Sequence, residues 1–199
     1  IGNPRLLNLD VNFKKKDILK PDVIYSINYK FLIPKNLYTY KKVIALNIHG
    51  SLLPKYKGRG PLVRSIMNGD YYTGISIHQI NKSVDAGKII LQKKIKIPYN
   101  CSGASLLNKF KKEYPKLILK SLKIVKSGKI ILDKQTLSNE KVNKSITEID
   151  RKINWDDDTL VIYNKIRAFS YPFDGTIIFL NKKKLLVDKA KILNINYPN

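Results

Sequence analysis

The sequence predicts an α/β fold: a doubly wound, mostly parallel, Rossmann-like sheet that lacks its N-terminal strands, followed by a small C-terminal α+β region. Three features predict it. Two apolar runs, Val23-Ile24-Tyr25-Ser26-Ile27 and Val43-Ile44-Ala45-Leu46-Asn47-Ile48, are continuous rather than alternating, as in strands covered on both faces. Apolar residues then recur at helical spacing between Ser105 and Lys126. The last stretch, from Trp155 onward, holds one helix and a pair of strands.

The elements follow in order. Pro21-Asp22 is a polar turn that opens the first strand, and Phe31-Leu32-Ile33-Pro34 through Tyr40 reads as a short connecting helix with proline at its start. A loop punctuated by glycine and proline runs from Pro54 to Pro61. Leu62 to Met67 is then helical and stops at Asn68-Gly69. Thr73 to Ile80 alternates with period two, as a half-buried strand does. Asp85-Ala86-Gly87 is a turn, and Lys88 to Ile97 is a strand alternating lysine with apolar residues. The long helix is expected to be interrupted near Pro115 and closed by Ser127-Gly128-Lys129. Asn139 to Ile149 is polar, a linker or surface loop. Thr159 to Ala168 is a helix, and strands near Ile177-Ile178-Phe179 and Leu185-Leu186-Val187 turn at Asn181-Lys182-Lys183. Almost no strand pattern precedes Pro21 and residue 1 is Ile, so the chain is expected to be N-terminally incomplete.

Composition narrows the function classes. The chain has 199 residues, 43% of them hydrophobic, enough for a core and one or two small domains. No run approaches the roughly 18–20 apolar residues of a transmembrane helix. Ile1-Gly2-Asn3-Pro4-Arg5 has no signal-peptide character, so the cytoplasm is the expected compartment. Cys101 is alone, which excludes an intrachain disulfide, and with only His49 and His78 beside it no metal site is expected. Lys+Arg 38 against Asp+Glu 15 gives a net charge of +23. Only Arg5, Arg59, Arg64, Arg151 and Arg167 are arginines, and the lysines are scattered beside Ile and Asn. That pattern fits a compositional bias on solvated faces; polyanion binding, or attraction of a phosphorylated small substrate, are the functional readings.

Chemistry concentrates in the loop after the second run, Asn47-Ile48-His49-Gly50-Ser51-Leu52-Leu53-Pro54-Lys55-Tyr56-Lys57-Gly58-Arg59-Gly60-Pro61. In open α/β sheets ligands sit at the carboxyl ends of strands. Asn47 and His49 are two apart, so on extended backbone they project to one side. An amide donor beside an imidazole suits acyl-type transfer, one stabilising an oxyanion and the other taking a proton. Alone, Asn-x-His is more often structural. Asp85 alone reads as a turn residue, and His78 as a packing or surface residue.

The longer string, with Thr73-Gly74-Ile75, Asp85-Ala86-Gly87, Ile153-Asn154-Trp155, Ile166-Arg167-Ala168-Phe169, Pro172 and Gly175, resembles the formyltransferases that use N10-formyltetrahydrofolate. The resemblance covers about Pro21 to Lys189. It implies a catalytic trio of Asn47, His49 and Asp85. His49 would take the amine proton, Asn47 would serve the oxyanion, and Asp85 would raise the His49 pKa. It also implies folate contacts at Phe31, Leu32 and Ile33, at Arg59, and at Asn81, Lys82, Ser83 and Val84 leading to Asp85. For Phe31 to Ile33 ordinary core packing is the alternative, whereas the Gly58 and Gly60 flanks of Arg59 favour a ligand role.

The loop variant and the short C-terminal stretch are similar to the sugar-nucleotide branch, such as the enzyme acting on UDP-4-amino-4-deoxyarabinose. An amino-sugar nucleotide, for lipopolysaccharide or surface glycan synthesis, is therefore the implied acceptor, with formyltetrahydrofolate as co-substrate. Methionyl-tRNA is the alternative acceptor, and an incomplete chain acting only as a binding module is the alternative to an enzyme. No membrane span and no nucleic acid are expected, and a homodimer is compatible with the reading. The expected organisation is a catalytic core over 1–138, a linker over 139–154 and a small helix-and-hairpin region over 155–199.

Overall fold

In a computed structural model of the protein, residues 21–29, 31–39, 43–135 and 141–193 are described. Strands β1 (Val23–Ile27), β2 (Ile44–His49), β3 (Tyr72–Gln79) and β4 (Ile89–Lys96) form one sheet in the order β1-β2-β3-β4. β1 and β2 are parallel, whereas β2–β3 and β3–β4 are antiparallel. The α/β class holds, but among the described residues the sheet is mixed rather than mostly parallel. The alternating stretches that start at Thr73 and Lys88 belong to the antiparallel strands, and a short turn between β3 and β4 permits only that pairing. The place where N-terminal strands were expected to be missing, residues 1–20, lies outside the described residues.

Helix α1 (Lys35–Tyr38) is one turn, with Pro34 as its N-cap; Phe31 to Ile33 precede it as irregular chain. Tyr40 lies outside the described residues. α2 (Pro61–Met67) starts with proline at its first turn and ends at Asn68 and Gly69, as the punctuation predicts. α3 (Gly103–Lys126) runs through Pro115 without a break, which corrects the expected interruption. Pro115 is exposed, so its ring and missing N–H face solvent while Leu106, Phe110 and Leu117 stay buried against the sheet. Ser102 caps α3 by accepting from the Ser105 N–H at 3.2 Å, and Gly128 at φ 67° closes it.

β3 is buried from Thr73 to His78, not half-buried as its alternation predicts. It lies inside the sheet between β2 and β4, with α2 and α3 against it, and its polar residues meet the loop after β2. The core is Leu46, Ile66, Ile75, Ile77, Leu106, Phe110 and Phe169 with their neighbours.

The rest of the described chain wraps this core. α4 (Glu148–Arg151) lies within the polar stretch read as a linker, and α5 (Thr159–Ala168) packs on α2. β5 (Thr176–Leu180) and β6 (Lys183–Val187) pair as a hairpin whose loop residues Asn181 and Lys182 both take positive φ, the signature of a tight primed turn.

Candidate active site

The carboxyl end of β2 brings Asn47 and His49 to one side of the sheet, and the β2–β3 register sets His78 directly opposite Asn47. Asp85 reaches the same point from the loop after β3. Its Oδ2 lies 3.4 Å from His49 Nδ1, and its Oδ1 lies 3.4 Å from His78 Nε2. Asn47 Nδ2 donates to Asp85 Oδ1 at 3.2 Å and lies 3.2 Å from His78 Nε2. One carboxylate thus sits between two buried imidazoles and an amide.

The backbone makes this arrangement possible at two glycines. Gly58, at φ 89°, donates its N–H to Asp85 Oδ2 at 2.8 Å, and a Cβ there would collide with the main chain of Asn143. Gly87 follows Asp85 so closely against Gln79 that a Cβ would overlap the Gln79 carbonyl. Asp85 itself takes φ 48°, which turns its carboxylate back toward the sheet.

Electrostatics follow from burial and contact. Burial is the largest influence on His49 and pulls its pKa below the ordinary imidazole value, although Asp85 and the Tyr56 carbonyl favour the charged ring. Asp85 acts upward on the His49 pKa, as expected of it, and desolvation outweighs that effect. For Asp85 burial opposes ionisation, but the His78 bond, the His49 charge and the Gly58 N–H together hold its carboxyl below the usual range. His49 Nε2 lies 2.9 Å from the Tyr56 carbonyl while Nδ1 faces Asp85, so both ring nitrogens meet acceptors. Only the imidazolium satisfies both at once. The ring is therefore kept neutral by its burial and is ready to hold a proton.

These groups line a cleft of about 670 Å³. Phe31, Leu32, Ile33, Arg59, Asn81, Lys82, Ser83 and Val84 line it too, so every residue singled out from the sequence meets there. Phe31 and Leu32 are exposed, which removes the core-packing alternative for them, and Ile33 is half-buried. Asn81 accepts from the Ser83 N–H at 2.9 Å, a side-chain turn that fixes the 81–85 loop. His78, set aside in the sequence, is the residue that reasoning missed. Its place depends on strand register, which no local pattern carries. Among the described residues no group of three or more His, Cys, Asp or Glu is placed to hold a metal, and no helix is long and apolar enough to cross a membrane.

Bifunctional polymyxin resistance protein ArnA of Wigglesworthia glossinidia brevipalpis is 34% identical over 175 residues, 87% of this chain but only 27% of that protein. The crystal structure of a 4-N formyltransferase from Francisella tularensis matches with a TM-score of 0.74 and 26% identity, over 88% of this chain and 74% of that one. WlaRD, a sugar 3N-formyl transferase crystallised in the presence of dTDP and 5-N-formyl-THF, matches with a TM-score of 0.69 and 27% identity. That match spans 81% of this chain and 58% of WlaRD. Residues 145–199 match the model of the formyl transferase C-terminal domain, and residues 3–122 match that of formyl transferase itself. With more than half its length in that match, the chain belongs to the formyl transferase family.

Proposed function

We propose that the protein is an enzyme that moves a formyl group from N10-formyltetrahydrofolate to the amine of an amino-sugar nucleotide, in surface glycan assembly. The observation that carries this reading is the buried contact of His49 Nδ1 with Asp85 at the floor of an open cleft. The cleft suits a folate: exposed Phe31 and Leu32 offer apolar surface for a flat ring, the 81–84 loop offers main-chain groups, and Arg59 offers positive charge. When bound, the folate supplies an electrophilic formyl carbon. His49, neutral through burial, receives on Nε2 beside the Tyr56 carbonyl the proton that the amine sheds as it bonds to the formyl carbon, and that proton would pass to N10 as the N10–carbon bond breaks and tetrahydrofolate leaves. Asp85 accepts from Nδ1 and stabilises the imidazolium so formed. Asn47 donates to negative charge developing on the formyl oxygen. Its Nδ2 contacts Asp85 Oδ1 and His78 Nε2 in the structure, so it gives up one long 3.2 Å contact to do so.

WlaRD, whose name specifies sugar 3N-formyl transfer, supports the amino-sugar acceptor, and the 4-N formyltransferase supports transfer to nitrogen. The test is an assay of the full chain with formyltetrahydrofolate, a panel of amino-sugar nucleotides, and methionyl-tRNA. Formylation of at least one amino sugar is the expected result. Formylation of methionyl-tRNA alone would overturn the acceptor, and no transfer to any amine would overturn the reaction.

A further inference from the structure

Asp85 is held from a part of the chain that neither family match covers. Gln135 lies between the two matched stretches, and its Nε2 donates to the main-chain carbonyls of both Asp85 and Gly87, each at 2.8 Å. Reversing the amide would aim its oxygen at those two carbonyls, so the orientation is fixed. The same segment is tied down just before, where Asp133 and Ile89 exchange N–H···O bonds of 2.9 and 3.0 Å. A few residues later Asn143 donates its N–H and its Nδ2 to the Lys57 carbonyl at 2.8 and 3.0 Å, and its own carbonyl accepts from the Arg59 N–H at 3.0 Å. Lys57 to Arg59 brackets Gly58, the donor to Asp85 Oδ2. Asp85 is therefore gripped on its main chain by Gln135, and on its carboxylate by a loop that Asn143 secures.

We propose that Gln135 is a positioning residue for Asp85: it locks the left-handed turn at Asp85 so that the carboxylate stays between His49 and His78. The proposal rests on the formyl-transfer reading only for its effect on rate. Its effect on His49 is independent of any substrate. A loosened Asp85 supports the imidazolium less, and His49 then loses its proton more easily. Among the described residues Asp85 and His78 are the ionisable groups that act on His49.

The chain has two histidines, so a ¹⁵N-histidine titration reads His49 and His78 separately in the intact protein. Gln135→Met keeps the side-chain length and removes both donors. It is expected to move the His49 midpoint to lower pH by about half a unit, with circular dichroism unchanged. In an Asp85→Asn background, which removes the charge being positioned, the same change should move nothing further. In the transfer assay Gln135→Met should lower kcat by about tenfold or more and leave KM for the folate within about twofold, as misplacement of a site group does. Gln135→Asn, with the amide one methylene short, is a milder second variant and should shift the midpoint in the same direction. An unmoved midpoint in a folded variant, or an equal shift in the Asp85→Asn background, would overturn the proposal. If neither variant folds, Gln135 serves the fold and the proposal fails. A protein that shows the titration shift but formylates nothing would instead overturn the proposed reaction and leave the clamp standing.

Discussion

The loop from Gly50 to Gly60 is held on its two sides by buried polar networks of opposite character. On one side lie His49, His78 and Asp85, with Asn47 against them, and three of these four can change charge. On the other, Ser76 Oγ donates to the Ser51 carbonyl at 2.6 Å and accepts from the Leu53 N–H at 3.0 Å and Gln92 Nε2 at 2.8 Å. Gln92 also donates to the Leu53 carbonyl at 2.9 Å, and Ser51 Oγ donates to the Lys55 carbonyl at 2.6 Å. No member of this second network ionises in the ordinary range, and none of Ser51, Leu53, Ser76 and Gln92 lines the cleft. Both networks satisfy buried groups, but only the first has acceptors in excess of protons, and it alone lines the cleft. Burial of polar groups is therefore no mark of function here. The mark is an ionisable set whose best-satisfied state requires a proton it does not yet hold.

The largest separation of the two networks should come from activity. His49→Ala and Asn47→Ala are each expected to lower kcat at least about a hundredfold while the protein stays folded. Steady-state kinetics with the amino-sugar acceptor measure this, and near-normal turnover in either variant would erase the distinction. The second network should respond in the opposite sense. Ser76→Ala leaves the Leu53 N–H and the Ser51 carbonyl without their buried partner, which costs about 1–3 kcal/mol of stability. The folded fraction should keep kcat within about twofold, since no ionisable group is touched. Urea denaturation alongside kinetics reads both, and a large kcat loss without destabilisation would mean that the two networks are one.

How far the site was legible in the sequence follows the same division. Asn47 and His49 lie at the carboxyl end of β2, where their spacing of two made an amide and imidazole pair legible, whereas Asp85 alone read as a turn residue and joined them only through the family resemblance. The helix Thr159–Ala168 and the turn before Lys183 were equally visible, because spacing and turn residues are local properties. His78 was not visible, since its role arises from pairing with Asn47 across 31 residues of chain. Gln135 and Asn143 sit in polar stretches with no period at all, and their partners lie 50 and 86 residues away. Strand direction did follow the local patterns: the two continuous apolar runs are the parallel pair β1 and β2, and the two alternating stretches are the antiparallel strands β3 and β4. Pro115 shows the reverse error, a strong local breaker overruled because it faces solvent on a helix anchored elsewhere.

The smallest expected effect is on stability in mild acid, and it separates the networks by sign alone. His49 titrates below its ordinary value in the folded protein, so as pH falls through about 6.5 the unfolded chain takes a proton that the folded ring still refuses. Stability must decline from there until the folded ring titrates as well. Asp85 acts in a lower window. Its folded pKa is depressed, so its contribution is present above the ordinary aspartate range and is lost only as pH falls through that range. Between pH 7 and pH 5, then, His49 is expected to contribute a decline and Asp85 is not. His49→Gln keeps a polar side chain without the titration and should show a smaller loss of Tm over that interval than the wild type. Ser76→Ala should lower Tm by a similar amount at both pH values and leave the slope unchanged, because nothing in its network binds a proton. Differential scanning calorimetry at pH 7, 6 and 5 on the three proteins measures this. A slope unchanged in His49→Gln would mean that the buried ring is not what acid attacks, and the contrast between an ionisable and a neutral anchor would then lie in rate alone.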